Sequence, residues 1–192
     1  MSMRTRALLA TALLLAGCGT DPSIEVTHRV PRGSTVAVVM FEDCAIAKQT
    51  DCDGSGANAG AIFVRVLAEK PGLHTASLPR PVGPKVPFSD DAAVAYAKAK
   101  GYRYVINGEV QDYYRAGVVA LHASRASITV RVLSVKDGAM LASYTYQEKS
   151  TAHISTADDM LEDMAKQVAN SVITEPKSRH QGDYMFYKGN SG

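Results

Sequence analysis

The chain has 192 residues, with 21 basic against 19 acidic side chains and a formal net charge of +2. That near-balance argues against nucleic acid or a strongly anionic surface as a partner. Hydrophobic residues make up 46% of the chain, which suits one domain with a real core, and no run reaches the roughly twenty apolar residues of a membrane-spanning helix.

Arg4 and Arg6 precede an apolar run from Ala7 to Ala16 that closes on small residues, the order of a secretory signal. Leu15-Ala16-Gly17-Cys18 resembles the lipobox of bacterial lipoproteins at every position. The resemblance implies a diacylglyceryl group on the Cys18 thiol, cleavage just before that residue and acylation of the new amine. Residues 1–17 are then a signal peptide. Gly19 stands where aspartate would mark retention, so the resemblance implies the outer membrane, with a lipid-anchored domain facing the periplasm. Loss of Arg4 and Arg6 leaves 19 basic residues against 19 acidic ones, and the mature chain is formally neutral.

Residues 18–34 are polar and contain Pro31 and Gly33; they read as the lipidated cysteine and a flexible tether. A single domain is expected over 35–174. It opens on Thr35-Val-Ala-Val-Val-Met-Phe41, an unbroken apolar run that reads as a strand buried on both faces. Cys44 and Cys52 follow, in a compartment that oxidises thiols. A disulfide is the natural reading and contributes on the order of 2–3 kcal/mol on chain-entropy grounds. The alternatives are a metal pair, which lacks a nearby histidine, and a redox pair, which lacks the close CxxC spacing.

Ile62, Phe63, Val66 and Leu67 then repeat at helical spacing until Pro71-Gly72. Leu73 to Leu78 reads as a short strand. Pro79, Pro81, Pro84 and Pro87 favour a stiff extended connection. Ser89-Asp90-Asp91 starts an alanine-rich helix that Gly101 closes. In Tyr102 to Tyr113, the residues Tyr104, Ile106 and Val110 alternate with Asn107, Glu109 and Gln111, a strand with one buried face. Ile128, Val130 and Val132 form the next strand. Lys136-Asp137-Gly138 turns it, and Met140, Ala142, Tyr144 and Tyr146 return. Ser155, Thr156, Asp158 and Asp159 cap a last helix with a Met160, Met164, Val168, Val172 stripe. Residues 175–192 read as a tail with Tyr184, Phe186 and Tyr187. The expected fold is α+β (α/β-like), one mixed β-sheet packed with helices in the order β-α-β-α-β-β-β-α.

Gly54-Ser-Gly-Ala-Asn-Ala-Gly60 precedes a helix, where anions are attracted. It lacks both GxGxxG spacing and a P-loop lysine, so Ser55 reads as an N-cap. His28, His74, His122, His153 and His180 are scattered without metal-ligand spacing. No catalytic residue, cofactor or metal is expected. The PxxP matches within Pro81 to Pro87 read as a stiff loop. Tyr102, Tyr104, Tyr113, Tyr114, Tyr144 and Tyr146 divide between the core and a possible contact surface.

The segments VAVVMFED, AKAKGYRYVINGEVQDY and ITVRVLSVKDGAMLASYTY resemble the α/β domain of bacterial envelope lipoproteins and related periplasmic proteins. That group includes the TolB N-terminal domain, the curli secretion lipoprotein CsgG and the penicillin-binding-protein activator LpoB. The resemblance implies a non-enzymatic protein that binds or scaffolds another envelope component, with assembly into oligomers open to it. The alternatives are a small-ligand sensor or carrier with a pocket beneath the Cys44–Cys52 loop and, further off, a peptidoglycan-acting enzyme. The expected partners are the membrane, through lipid on Cys18, and an envelope protein.

Overall fold

A computed structural model describes residues 22–116, 123–150 and 155–173. Cys18, the signal peptide, the tail 175–192 and His122, His153 and His180 lie outside the described residues. The elements are β1 (Ser23–Val26), β2 (Ser34–Val39), α1 (Ser55–Ala68), β3 (Leu73–Leu78), α2 (Asp90–Ala99), β4 (Tyr104–Tyr114), β5 (Arg125–Ser134), β6 (Met140–Lys149) and α3 (Ala157–Val172). They build one mixed six-stranded sheet in the order β1-β6-β5-β4-β2-β3.

The expected order holds, with one strand added at its front. β1 lies in the segment read as tether: Ser23 pairs with Thr145 and Val26 with Ala142, antiparallel. The chain stays docked after it. Thr27 and His28 donate their N–H groups to Leu141 O, and Val30 donates to Val172 O, with Val30 buried. Four residues of Ser-Ile-Glu-Val carry too short an alternation to stand out from a polar stretch. β6 supplies the pairing that makes them a strand.

β2 is central and parallel to both β3 and β4, and its apolar run is buried on both faces as expected. Val36 and Val38 join the core beneath α1 and α3, while Ala37 and Val39 join the core beneath α2. α3 packs its Met160, Met164, Val168 and Val172 stripe inward. Its start is a capping box, in which Thr156 Oγ1 accepts from Asp159 N–H and the Asp159 carboxylate accepts from Thr156 N–H. At the β5–β6 hairpin, Gly138 takes φ +75°, and Gly138 N–H donates to Ser134 O.

Two side chains face differently from the simple alternation. Asn107 is buried, because the start of α2 covers its face of the sheet; its Nδ2 donates to Phe88 O at 3.0 Å and to Asp90 Oδ1 at 2.8 Å. Met140 faces solvent and Leu141 is buried instead, because the β5–β6 register shifts at Val132/Leu133.

Candidate functional site

The described features that carry chemistry gather at one end of the sheet, where β2, β3, β4 and β6 all finish. In an open α/β sheet, loops at the carboxyl ends of parallel strands build sites, and strand order reverses beside β2. The loop after β2 holds the Cys44–Cys52 disulfide, with both sulfurs buried. Gln49 Nε2 donates to Asp112 Oδ1 at 2.9 Å and to Tyr113 O at 2.7 Å. Asp51 Oδ2 accepts from Arg115 N–H at 3.0 Å. The loop is thereby fastened to the end of β4 by polar bonds as well as by the disulfide.

The amino end of α1 already has its anion. Buried Asp43 accepts from Gly54 N–H through Oδ2 and from Gly56 N–H through Oδ1. The residue at the N-cap position is Gly54, at φ +82°, with no side-chain cap. Ser55, read from the sequence as the cap, instead accepts from Cys44 N–H at 3.2 Å. The glycine-rich stretch thus serves packing and an internal carboxylate.

Beside it, α1, β4 and α3 contribute to one polar cluster. Asp158 accepts from Tyr113 OH, from Asn58 Nδ2 at 2.6 Å and from the Arg115 guanidinium at 3.2 Å. Burial, reinforced by the bond to Asp158, pushes the Tyr113 hydroxyl well above its ordinary pKa. Arg115 lies over the Tyr113 ring at 5.1 Å. Asp158, read as a dipole partner of α3, is therefore also the acceptor that joins three elements. Burial raises the Asp112 carboxyl, but hydrogen bonds from Arg125 and Gln49 outweigh it and hold that group below its usual range.

The proline-bearing loop after β3 is pinned from inside. Arg80, with its side chain only 6% exposed, donates to Met40 O, Gly83 O and Val86 O and pairs with Glu42 Oε2 at 3.0 Å. Burial draws its pKa down, with Glu42 opposing. Lys85 Nζ bridges to Asp53 at 2.6 Å, tying this loop to the disulfide loop.

Open grooves of about 400 Å³ and 390 Å³ run along the disulfide loop, the first bordered by Ile46 and Lys85 and the second by Lys48, Tyr114 and Arg125. Among the described residues, the exposed large hydrophobic side chains form two groups: Ile46 (40%) and Val86 (50%) at this end, and Ile24 (45%), Val26 (36%) and Met140 (46%) along or below the β1 edge. Of the six tyrosines singled out in the sequence, Tyr113, Tyr144 and Tyr146 are buried and Tyr102, Tyr104 and Tyr114 are partly exposed. His28 and His74 are exposed. Among the described residues no group of three or more His, Cys, Asp and Glu is placed to hold a metal ion. Sequence reading missed Asp43, Arg80 and the Asn58–Asp158 bond. Asp43 alone carried a signal, as an acid between an apolar strand and a glycine-rich helix start.

No family model matches the chain, and no curated protein matches it. Among solved structures, the chain is similar to PelC from Paraburkholderia phytofirmans, solved as a dodecamer. The TM-score is 0.62 at 18% identity, over 81% of this chain and 99% of that one. TolB from Acinetobacter baumannii gives a TM-score of 0.39 at 14% identity over 79% of this chain and 31% of that one. The LpoB C-terminal domain from Salmonella enterica gives 0.36 at 14% identity, over 63% and 86%. At these identities the likeness shows fold alone: this chain has the α+β fold of the PelC subunit.

Proposed function

We propose that this protein is an outer-membrane lipoprotein, anchored through Cys18, whose periplasmic domain works without catalysis by binding envelope components, copies of itself first. The observation that carries this reading is a sheet whose outer edges, β1 and β3, are unpaired among the described residues, the first beside exposed Ile24 and Val26. An open, partly apolar edge is a template for strand addition. One edge of a copy meeting the other edge of the next is a heterologous contact, which closes into a ring when the rotation permits. The dodecameric state of PelC, whose subunit shares this fold, supports the reading.

Light scattering on the mature chain carrying Cys18→Ser tests it. The expected result is an assembly of several copies that Ile24→Lys with Val26→Lys reduces to monomers. A monomer at every concentration, unchanged by those substitutions, sinks the self-assembly reading. Fractionation reads the anchor independently, since Cys18→Ser moves the protein from the membrane to the soluble fraction. A small-ligand role is the second reading, and the grooves beside the Cys44–Cys52 loop are what favour it.

A further inference from the structure

We infer that the Cys44–Cys52 end of the domain is its membrane-facing surface, resting against the phospholipid headgroup layer with Ile46 and Val86 at the contact; this rests on the reading of Cys18 as the lipidated residue. The new observation is the shortness of the leash. A tether running to residue 34 would let the domain stand far from the bilayer. With β1 in the sheet from Ser23, only the five steps from Cys18 to Ser23 remain, and these reach about 18 Å at full extension.

The register gives that leash a direction. β1 runs from Thr145 of its partner toward Ala142, so the chain ahead of Ser23 leaves toward the end where β6 finishes. β6 continues four residues beyond Thr145 to Lys149, about 13 Å. Lys149 pairs with Arg125, and Arg125 pairs with Tyr114. This row therefore stands ahead of Ser23 on the anchor's side. The second groove joins it to Lys48 and the disulfide loop.

The same leash excludes the hairpin end and the β3 edge. Met140, at the far end of β6, lies five residues behind Thr145, about 17 Å, and the Lys136–Gly138 hairpin lies beyond it. A chain that leaves Ser23 in the opposite direction with about 18 Å of reach cannot turn back and seat that hairpin on the bilayer. The β3 edge is five strand spacings from β1, about 24 Å. The far end carries exposed Lys98, Lys100, Arg103 and Lys136, the surface that charge alone would bring to anionic lipid. The covalent leash overrides that preference. The end it selects presents two exposed apolar side chains, Ile46 and Val86, with Lys48 and Lys149 exposed beside them to meet headgroup phosphates.

The chain contains no tryptophan, so single substitutions make clean reporters. The lipidated full-length protein is placed in vesicles of phosphatidylethanolamine and phosphatidylglycerol with brominated acyl chains, as Ile46→Trp, Val86→Trp, Val26→Trp and Met140→Trp. All four positions are exposed, and two reporters per surface cover the loss of any one variant to misfolding. Quenching of Ile46→Trp and Val86→Trp, with Val26→Trp and Met140→Trp unaffected, is the expected result. Quenching at Val26→Trp instead lays the β1 edge on the bilayer and overturns the inference, as does equal fluorescence at all four. The mass of the mature amino terminus is measured on the same samples. A chain without lipid on Cys18 ends the underlying reading as well, and is distinguished in that way from a lipidated chain bound in another orientation.

Discussion

The Asp43 carboxylate clamps the Gly56 backbone, its Oδ1 accepting from Gly56 N–H at 2.7 Å while Phe41 N–H donates to Gly56 O at 3.2 Å. The end of β2 and the start of α1 are thus pressed together backbone to backbone. A Cβ at Gly56 would meet Phe41 O at 2.1 Å, a contact no side-chain movement relieves. Gly56→Ala is therefore expected to cost about 3 kcal/mol or more, the upper range for overpacking. Ala57→Gly, one residue on and carrying only a helix-propensity cost, should lose about 1 kcal/mol. Urea unfolding of both variants checks the contrast, and equal losses would remove the close-packing account of the glycine.

That pair also shows where sequence reading stops. The apolar run of β2, the α3 stripe, the Lys136–Gly138 turn and the Cys44–Cys52 pairing were legible because each is a local pattern: a period, a turn residue or a short spacing. β1 was not, since four residues of weak alternation become a strand only through β6. The Asn58–Asp158 bond spans a hundred residues, and Asn107 is buried only because α2 crosses its face. Those contacts are properties of the packed fold, and the Asn58–Asp158 bond is the one that builds the candidate site. The glycines of residues 54–60 were visible, but their purpose was not: the anion at the helix start is a carboxylate of this chain.

Arg80 is expected to tolerate no conservative exchange. Its guanidinium serves Met40 O, Gly83 O, Val86 O and Glu42 together, and a lysine ammonium has neither the reach nor the planar fork to do so. Arg80→Lys should destabilise the protein by about 2–3 kcal/mol, within the range for breaking a buried charged network. It should also open the Pro79–Phe88 connection to limited proteolysis. Thermal melting with mapping of the cleavage sites measures both effects, and a melt at the native temperature with an uncut loop would contradict the pinning role.

Reduction of Cys44–Cys52 should release the loop and weaken the fold together. The sequence separation of the cysteines is 8, and on chain-entropy grounds a loop of that size contributes about 2.5 kcal/mol. Melting with and without reductant should show a drop of that order, and Cys44→Ala with Cys52→Ala should melt at one temperature under both conditions. The Gln49 bonds to Asp112 and Tyr113 hold part of the loop after reduction. Amide exchange is therefore expected to rise first around Ala45–Lys48, next to the positive-φ residue Lys48.

Tyr146 contributes to the alkaline limit of the fold. Its hydroxyl is buried with no hydrogen-bond partner among the described residues, and its ring stacks on Tyr144 at 6.1 Å. Burial, then the neighbouring Tyr144, pushes its pKa up to about 12, against about 10 in an unfolded chain. A group whose folded pKa is raised contributes stability that is complete below the unfolded value and disappears as pH rises through the folded one. The loss should therefore fall between about pH 10 and pH 12 and amount to roughly 2–3 kcal/mol. Tyr144, shifted the same way by burial, and Tyr113, shifted by burial and its bond to Asp158, add to it. Tyr146→Phe removes a hydroxyl that was desolvated without compensation, so the variant should be about 1 kcal/mol more stable at neutral pH. It should also lose less stability than the native chain on going to alkaline pH. Urea midpoints at neutral and alkaline pH, with tyrosinate absorbance followed in parallel, test both statements. If every tyrosine of the folded protein ionises near pH 10, or if Tyr146→Phe is less stable than the native chain, the buried Tyr146 hydroxyl does not contribute to the alkaline loss.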